Sequence, residues 1–532
     1  MGTYLNPDNQ NFLGVVNTGS YVDKTMLIDV ANSQLNNPIY KFICVSRPRR
    51  FGKSIAGNMI SAYYSKGADS KSLFTNYKIA KTKLFEKFLN KFNVIKIDLN
   101  AMYAKWKELS ETNKNNSFVT YVNESICSEF YSEFSDVKFG KYAILSDYIQ
   151  AVYSQKKETF IIIIDEYDVL IREQTSEDQL DSYRNFLISL FKNSELEPAI
   201  SLAYITGILP IMKDKIQSKL NTFKQYTMLD ADDFAEFVGF TSEEVKFLCK
   251  KYSCSFNECK SWYDGYKLAG FEIYNPEAVI QAVPKGKFKS YWSGTSTYQV
   301  VEEKLNMNFS GTKEDVIAML GGRKIEVSVG RYDNTLTGFR NKDDIFTFLI
   351  HLGYLAYDEE EQTCYIPNRE IHEEWIKAVE DNEDYAETNK IIKDSKNLLR
   401  ETIAGNEDFV AKALDKTHIH ITSNRSYNNE DSLQSAIYLA YIYALNGYTI
   451  VKEMTSGKGF SDITYIPFDN STPAIIVELK HNKSAETALS QIKEKQYFES
   501  LSNWKGDILF VGINYDEQSK QHQCKIEKFI KT

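Results

Sequence analysis

The chain is 532 residues long, 43% of its residues are hydrophobic, and its formal charge at neutral pH is −9. This length predicts three or so domains of roughly 100–200 residues each, and the hydrophobic content excludes global disorder. The negative net charge argues against a general electrostatic attraction to nucleic acid. Any contact with nucleic acid therefore needs a local basic patch or a bound metal.

Targeting and redox signals are weak throughout the sequence. The N-terminus lacks a charged region followed by an apolar run, and no stretch approaches about 18 apolar residues, so we expect neither a signal peptide nor a membrane span. Seven scattered cysteines without a CxxC pair suit a reducing compartment and do not form a zinc pattern. We therefore expect a cytoplasmic protein without a membrane partner.

Short apolar runs alternate with helix-length stretches in the first part of the chain. They are KFICV at 41–45, VIKIDL at 94–99, FIIII at 160–164 and LAYIT at 202–206. Continuous apolar strands that alternate with helices are typical of a parallel sheet covered by helices on both faces. The pattern predicts an α/β domain over residues 1–235.

The remainder of the chain divides into two further parts. Residues 236–395 are mainly helical and aromatic-rich, and they end in a highly charged segment that predicts a solvated helix or linker. From residue 396 onward, a helix is followed by the strand-like runs YTIVKEM, FSDITYI and AIIVELK, a second helix, and the run DILFVGI. This order predicts a smaller α/β domain with a mixed sheet over residues 396–532.

The first apolar run leads directly into a glycine-containing basic loop, SRPRRFGKS at 46–54, and then into a helix-like stretch. Its last three residues fit the phosphate-binding consensus GxxxxGK[ST], although Arg47 stands at the position of the first glycine. The alternative is a basic loop that merely precedes a helix. The strand–loop–helix context favours a P-loop over that alternative.

Five residues of this loop have predicted roles. Gly52 lets the backbone approach a phosphate, Lys53 bridges the β- and γ-phosphates of ATP, and Ser54 ligates Mg²⁺. Arg49 and Arg50 add positive charge to the same site. The helix N-terminus that follows also favours a bound anion.

The apolar run FIIII ends in two carboxylates, which is the pattern of a Walker B strand. Asp165 is the candidate for holding the Mg²⁺ shell, and Glu166 is the candidate for polarising the attacking water. Thr206, at the end of the next buried strand, is a candidate sensor of the γ-phosphate. Buried strands also end in acidic residues for structural reasons, but the upstream loop favours the functional interpretation.

Residues 20–355 resemble the predicted AAA-ATPase-like family, which is found mostly in bacteria and is often fused to a PD-(D/E)xK nuclease-like domain. The pieces that carry the resemblance are YVDKT, RPRRFGKS, IIIIDEYD, YITGILPI, FTSEEV, WYDGY, YNP, YW and GYL, in that order. In that family the RPRRFGKS form is usual. The resemblance implies an ATP-binding P-loop core with a helical lid. Arg172, Arg184 and Arg323 are candidates for an arginine finger, and the sequence does not single out one of them. Because many AAA-type enzymes take this arginine from a neighbouring subunit, formation of a homo-oligomer stays open.

A second constellation lies near the C-terminus. Asp462 begins a strand, and Glu478 and Lys480 lie two apart on the next strand, so they project from one face. A hairpin brings Asp462 beside Glu478, and two carboxylates suit Mg²⁺. Lys480 would orient or activate water and stabilise charge on a phosphate. Glu430 is a candidate further carboxylate, and Gln491 is a candidate supporting residue.

The spacing D-x15-ExK resembles the PD-(D/E)xK nuclease fold, a restriction-endonuclease-like α/β domain, over about residues 420–515. Ser461 replaces the proline of the name. The resemblance implies Mg²⁺-dependent cleavage of nucleic acid, controlled by the nucleotide state of the ATP site. The alternative is a nucleotide-regulated binding, signalling or remodelling protein whose nuclease-like domain is inactive. His418 and His420 are two apart and would share a face of a strand, but the sequence suggests no third metal ligand.

Overall fold

The computed structural model of the protein describes residues 2–110, 117–141, 143–211, 222–292, 297–332, 338–380, 382–422, 430–456, 459–469, 471–502 and 504–529. The chain forms two compact units. The first comprises Met1–Cys254, Asp264–Gly286 and Val327–Gln362, and the second comprises Ser255–Tyr263, Lys287–Glu326 and Thr363–Thr532. The division into three domains at residues 235 and 395 stays a prediction.

A five-stranded sheet forms the centre of the first unit. Its strands are β1 (Phe42–Ser46), β2 (Asn93–Asp98), β3 (Phe160–Asp165), β4 (Ile200–Gly207) and β5 (Lys224–Tyr226). They are parallel and lie in the order β2-β3-β4-β1-β5. Every residue of β1, β3 and β4 is buried, as continuous apolar strands require when both faces are covered. The predicted parallel sheet is confirmed.

Helices cover both faces of this sheet. The Phe118–Glu133, Leu145–Lys156 and Glu177–Phe191 helices share an apolar core with one face. The Lys53–Tyr64 helix packs on the other face so closely that a Cβ on Gly57 would lie 3.5 Å from the Ile163 side chain. Further helices of this unit are Gln10–Asn17, Met26–Gln34, Lys71–Phe74, Phe85–Phe88, Leu99–Ser110 and Val169–Arg172.

The rest of the first unit combines helices with very short strands. The helices are Ser242–Lys251, Pro276–Ala282 and Lys342–Leu352. The strands are β6 (Phe240–Thr241), β7 (Tyr266–Leu268) and β8 (Phe271–Tyr274), which form one sheet, and β10 (Ala356–Asp358). The predicted helical middle region is confirmed. The strands that it also contains are too short to show a periodicity in the sequence.

The second unit contains a five-stranded mixed sheet. Its strands are β12 (Tyr448–Ser456), β13 (Gly459–Pro467), β14 (Ala474–His481), β15 (Ile508–Asp516) and β16 (Gln521–Phe529), in chain order. The β14–β15 pair is parallel and the other pairs are antiparallel. The predicted mixed sheet is confirmed, with β16 as a strand that the sequence did not indicate.

Helices cover this second sheet as well. The Ala386–Ile403, Glu407–Thr422 and Glu430–Ala440 helices pack on one face, and the Ala485–Glu494 helix packs on the other. The unit also contains the helices Phe256–Tyr263, Thr297–Leu305, Thr312–Leu320 and Arg369–Glu380, and the antiparallel strands β9 (Ile325–Glu326) and β11 (Thr363–Tyr365). In the described ranges, no helix combines the length and the apolar character needed to cross a membrane.

Candidate functional site

Three strands of the first sheet end at the same edge. The parallel register places Val45 of β1 beside Thr206 of β4, and Ile164 of β3 beside Ile205 of β4. The loop after β1 and the acidic residues that end β3 therefore lie at one edge of the sheet with Thr206, where α/β proteins bind ligands. The fold brings together the residues that the sequence predicts for ATP and Mg²⁺.

The basic loop ends in a conformation that suits a phosphate. Gly52 has a φ of 91°, in the left-handed region that favours glycine, and the helix begins at Lys53. A Cβ on Gly52 would meet no described atom within 4 Å, so the space above the loop is open. Ser54 is exposed in the first helical turn, whose amides lack intrahelical acceptors. These features fit a bound nucleotide phosphate with its cation.

Lys53 is buried inside this loop. Its Nζ donates hydrogen bonds to the carbonyl oxygens of Arg47, at 2.9 Å, and Pro48, at 2.8 Å. Burial lowers the pKa of Lys53 to about 8, against the opposing attraction of Asp168 and Asp165. A lysine held by the carbonyls of its own loop can exchange them for phosphate oxygens without a change of the fold.

The three arginines of the loop differ in burial. Arg47, at the consensus glycine position, is fully buried and donates from one guanidinium nitrogen to the carbonyl oxygens of Ser46, at 2.9 Å, and Tyr226, at 3.0 Å. Its φ is not positive, so the position does not require glycine. Burial lowers the pKa of Arg47 to about 10. Arg49 and Arg50 are exposed.

The acidic end of β3 is tightly held. Asp165 is buried and accepts hydrogen bonds from the Thr206 hydroxyl and, at 3.1 Å, from the Glu166 amide. Thr206 thus orients the Asp165 carboxylate. Glu166 has a φ of 53°, which costs energy for a residue other than glycine, and its carboxylate is ion-paired with Arg172. Arg172 is therefore an ion-pair partner within the site.

Asp168 is a site residue to which the sequence assigned no role. It is fully buried, and its carboxylate accepts hydrogen bonds from the amides of Ile208, at 3.0 Å, and Leu209, at 2.9 Å. Arg172 lies 3.4 Å from the same carboxylate oxygen. Asp168 therefore ties the segment after β3 to the segment after β4. The signal in the sequence is the second aspartate of IIIIDEYD.

Several of the short motifs meet one another around the phosphate loop. The ring of Phe51 packs edge-on against Tyr266, with the ring centres 5.4 Å apart, and the Tyr266 hydroxyl donates to the carbonyl oxygen of Gly353 at 2.7 Å. Lys24 of YVDKT forms an ion pair of 2.5 Å with Glu244. These contacts bring together motifs that are far apart in the sequence.

The second candidate site lies at the β13–β14 hairpin. The antiparallel register pairs Ile463 with Val477, so Asp462 and Glu478 are neighbours on the two strands. The Asp462 carboxylate accepts a hydrogen bond of 2.6 Å from the amide of Leu479. The hairpin thus brings together the two carboxylates as the sequence predicts.

Glu478 is the most buried carboxylate of this site, with 2% of its surface exposed. Its Oε1 accepts hydrogen bonds from Lys480 Nζ, at 2.7 Å, and from Gln491 Nε2, whereas its buried Oε2 has no hydrogen-bond partner among the described residues. Burial, reinforced by the charge of Asp462, raises the pKa of Glu478 to about 7. Two neighbouring carboxylates, one of them buried, fit a hard divalent cation. The side chain of Glu430 lies outside the described residues.

Tyr497 belongs to the same site and was missed in the sequence. It is buried, and its hydroxyl accepts a hydrogen bond of 3.1 Å from Gln491 Nε2. The left-handed backbone of Gln496, with a φ of 55°, directs the chain into the turn that carries Tyr497. A Cβ on Gly459 would lie 3.3 Å from the Tyr497 ring, so this glycine allows the close approach. The only sequence signal was an aromatic residue shortly after Gln491.

Across the described ranges, no group of three or more His, Cys, Asp or Glu side chains is arranged to hold a metal ion. Asp462 and Glu478 are therefore two carboxylates that need further ligands, such as solvent or a phosphate oxygen, to complete a metal shell.

Comparison with known families identifies both parts of the chain. Residues 10–217 match the family described as Predicted AAA-ATPase, and residues 428–525 match the PD-(D/E)XK nuclease superfamily. The chain is therefore similar to the first family over its N-terminal part and to the second over its C-terminal part. Both resemblances named from the sequence are confirmed, and the AAA-ATPase-like segment supports nucleotide binding by this chain.

The individual relative reported for this chain is distant. An uncharacterized protein in the vnfD 5′ region of Azotobacter chroococcum mcd 1 is 24% identical over 307 residues, which cover 56% of this chain and 55% of that protein. The chain therefore spans about half the length of this relative.

Solved structures are also similar at low identity. The Aeropyrum pernix ORC2 protein in its ADPNP-ADP complexes is 11% identical, covers 67% of this chain and 93% of its own, and has a TM-score of 0.30. Drosophila ORC bound to DNA is 10% identical, covers 68% of this chain and 87% of its own, and has a TM-score of 0.25.

Proposed function

We propose that the chain binds and hydrolyses ATP with Mg²⁺ at its N-terminal site, and that its C-terminal site cleaves phosphodiester bonds of nucleic acid with Mg²⁺. We propose further that the nucleotide state controls this cleavage. The observation that supports the nuclease part most is the pairing of Asp462 with the buried Glu478 on neighbouring strands, with Lys480 Nζ 2.7 Å from Glu478 Oε1.

At the N-terminal site, the residues divide binding and chemistry between them. Lys53 would contact the β- and γ-phosphates, and Ser54 and Asp165 would hold a Mg²⁺ that neutralises charge on the phosphates. Glu166 would orient the attacking water and accept its proton. Arg172, which is ion-paired with Glu166, would help to fix the position of the Glu166 carboxylate.

At the C-terminal site, Asp462 and Glu478 are the residues that would hold Mg²⁺. The cation would act as a Lewis acid on the phosphate and lower the pKa of a bound water. Lys480, 2.7 Å from Glu478, would place its positive charge beside the phosphate, where negative charge develops during cleavage. Gln491 holds the Glu478 carboxylate in place through its amide.

Cleavage is tested by incubating the purified protein with Mg²⁺ and mixed DNA and RNA substrates, with and without ATP. Lys480→Ala should abolish cleavage, because it removes the charge beside the phosphate. Lys483→Ala is the matched control, because Lys483 is an exposed lysine three residues further along. If the wild type cleaves nothing under any of these conditions, the alternative of an ATP-driven binding or remodelling protein with an inactive nuclease-like domain replaces the nuclease proposal.

Control by the nucleotide is tested in the full-length chain with Lys53→Ala. This variant should bind ATP much more weakly, since it loses the cation that contacts the phosphates. The effect of ATP on cleavage should disappear with it, while cleavage without nucleotide stays at the wild-type level. If the wild type cleaves at the same rate with and without ATP, the proposal that the nucleotide controls cleavage is wrong.

A further inference from the structure

A second group of ionisable side chains lies in the nuclease-superfamily unit, away from Glu478. It comprises Asp415 and His418 on the Glu407–Thr422 helix and His522 on β16. Side chains alternate along β14, so its last residue, His481, projects to the face opposite Glu478. The helix that carries His418 packs on that same opposite face. The group is therefore separate from the proposed cleavage site.

The three side chains form a connected row. His522 Nδ1 lies 2.9 Å from the Asp415 carboxylate, which also accepts a hydrogen bond of 2.6 Å from the His522 amide. The carboxylate therefore keeps the proton of His522 on Nδ1 and leaves the lone pair of Nε2 directed outward. That lone pair faces His418, whose Nδ1 lies 3.4 Å from His522 Nε2.

Both imidazoles are suited to bind a metal. Each histidine has only 6% of its surface exposed. Burial, and secondarily the proximity of His522, lowers the pKa of His418 to about 4, so His418 is neutral at physiological pH. Neutral imidazole is the form that ligates metals, and a carboxylate on the distal nitrogen is the usual partner that fixes the ring and raises its basicity.

The separation of the two nitrogens matches a shared ion. Two imidazole nitrogens on one tetrahedral Zn²⁺, at about 2.0–2.1 Å each, lie about 3.3–3.4 Å apart. The observed distance of 3.4 Å between His418 Nδ1 and His522 Nε2 lies within that range. We propose that His418 and His522 bind one transition-metal ion of the Zn²⁺ class, with Asp415 holding His522 in position.

Two nitrogens leave part of the coordination shell for solvent or a third side chain. His481 is the nearest candidate, because its Nε2 is buried without a hydrogen-bond partner among the described residues. Its ring lies 5.8 Å from Tyr515, and Tyr515 packs on His418 with 4.0 Å between ring centres. His481 is therefore close to the pair.

The test is a metal titration of the full-length, chelator-treated protein in excess Mg²⁺, which occupies sites that prefer hard cations. Calorimetry with Zn²⁺ and visible absorption with Co²⁺ should both give one bound ion per chain. His522→Gln and His418→Gln should each lower the Zn²⁺ affinity at least about tenfold, and Asp415→Asn should lower it by about 10–100-fold. Asp408→Asn, an exposed carboxylate of the same helix, is the matched control.

Asp462→Ala separates this site from the proposed cleavage site, because it should leave Zn²⁺ binding unchanged. Thermal melting without metal checks that each histidine variant is folded, and Asp415→Asn serves as the readout if a histidine variant does not fold. The proposal is overturned if the wild type binds no Zn²⁺, or if folded variants at 415, 418 and 522 bind it as tightly as the wild type. His418 and His522 would then form a hydrogen-bonded pair that binds no metal.

Discussion

The raised pKa of Glu478 makes the affinity of the C-terminal site for Mg²⁺ depend on pH. A protonated Glu478 cannot ligate a cation, so the metal has to displace the proton. With a pKa of about 7, mainly because of burial and secondarily because of Asp462, the carboxylate is deprotonated in about a tenth of the molecules at about pH 6 and in about nine tenths at about pH 8. The apparent Mg²⁺ affinity should therefore be about tenfold lower at the lower pH.

Calorimetric titration of the nucleotide-free protein with Mg²⁺ measures this effect directly. Titrations at each pH in two buffers with different protonation enthalpies give the number of protons released per ion, expected to be about 0.9 at about pH 6 and about 0.1 at about pH 8. Glu478→Gln should weaken binding and remove the proton release. Wild-type affinities that agree within about twofold at the two pH values would refute the linkage of this carboxylate to the metal.

The same shift has a consequence for stability without metal. The pKa of Glu478 in the folded protein lies above its ordinary value of 4.5, so the folded state holds the proton more tightly than the unfolded state. The resulting stabilisation is fully present below about pH 4.5 and is lost as the pH rises through about 7. At about 1.4 kcal/mol per pKa unit, this group contributes about 3 kcal/mol to that decline. Denaturant unfolding of the wild type and Glu478→Gln across this pH range should show a smaller decline in the variant.

Other substitutions test separate parts of the two sites. Glu166→Gln should keep ATP affinity and lower turnover by about 100-fold or more, and wild-type turnover would contradict its role as the base. Tyr497→Phe removes the hydroxyl that accepts a hydrogen bond from Gln491, so kcat for cleavage should fall by about tenfold with KM unchanged. Gly207→Ala places a Cβ 2.6 Å from the buried Tyr167 ring and should lower the free energy of unfolding by about 1–3 kcal/mol, measured by denaturation. Gly14→Ala, in a helix with open space at the Cβ, is its control and should raise that free energy by up to about 1 kcal/mol.

The sequence predicted the central strands well because burial on both faces leaves an unbroken apolar run. The residues FIIIID of β3 are all buried, and an unbroken apolar run of this kind is typical of a core strand. In contrast, β16 has the sequence QHQCKIEKF and lies at the edge of its sheet, so only some of its residues are buried and its polar content hides it. An edge strand forms because it hydrogen-bonds to a neighbouring strand, and a single sequence does not show which strands become neighbours.

The same distinction applies to the candidate sites. Asp462, Glu478 and Lys480 were predicted to meet because a hairpin and a period of two residues fix their relative positions. Tyr497 depends on a turn after the Gln491 helix that has no regular period, so its contact with the site was not predictable from spacing. His418 was paired with His420 under the assumption of a strand, but both lie on the Glu407–Thr422 helix, and the tertiary fold pairs His418 with His522.

The strand order of the first sheet also determines when the chain can complete it during synthesis. β1 lies between β4 and β5 and is not bonded to β2, although β2 follows it in the sequence. The apolar segment FICVS therefore has no strand partner in this sheet until residues 200–226 have left the ribosome. Parallel pairings over such separations form slowly, and an exposed apolar strand invites aggregation. The nascent chain therefore carries an unpaired apolar strand until β4 and β5 enclose β1.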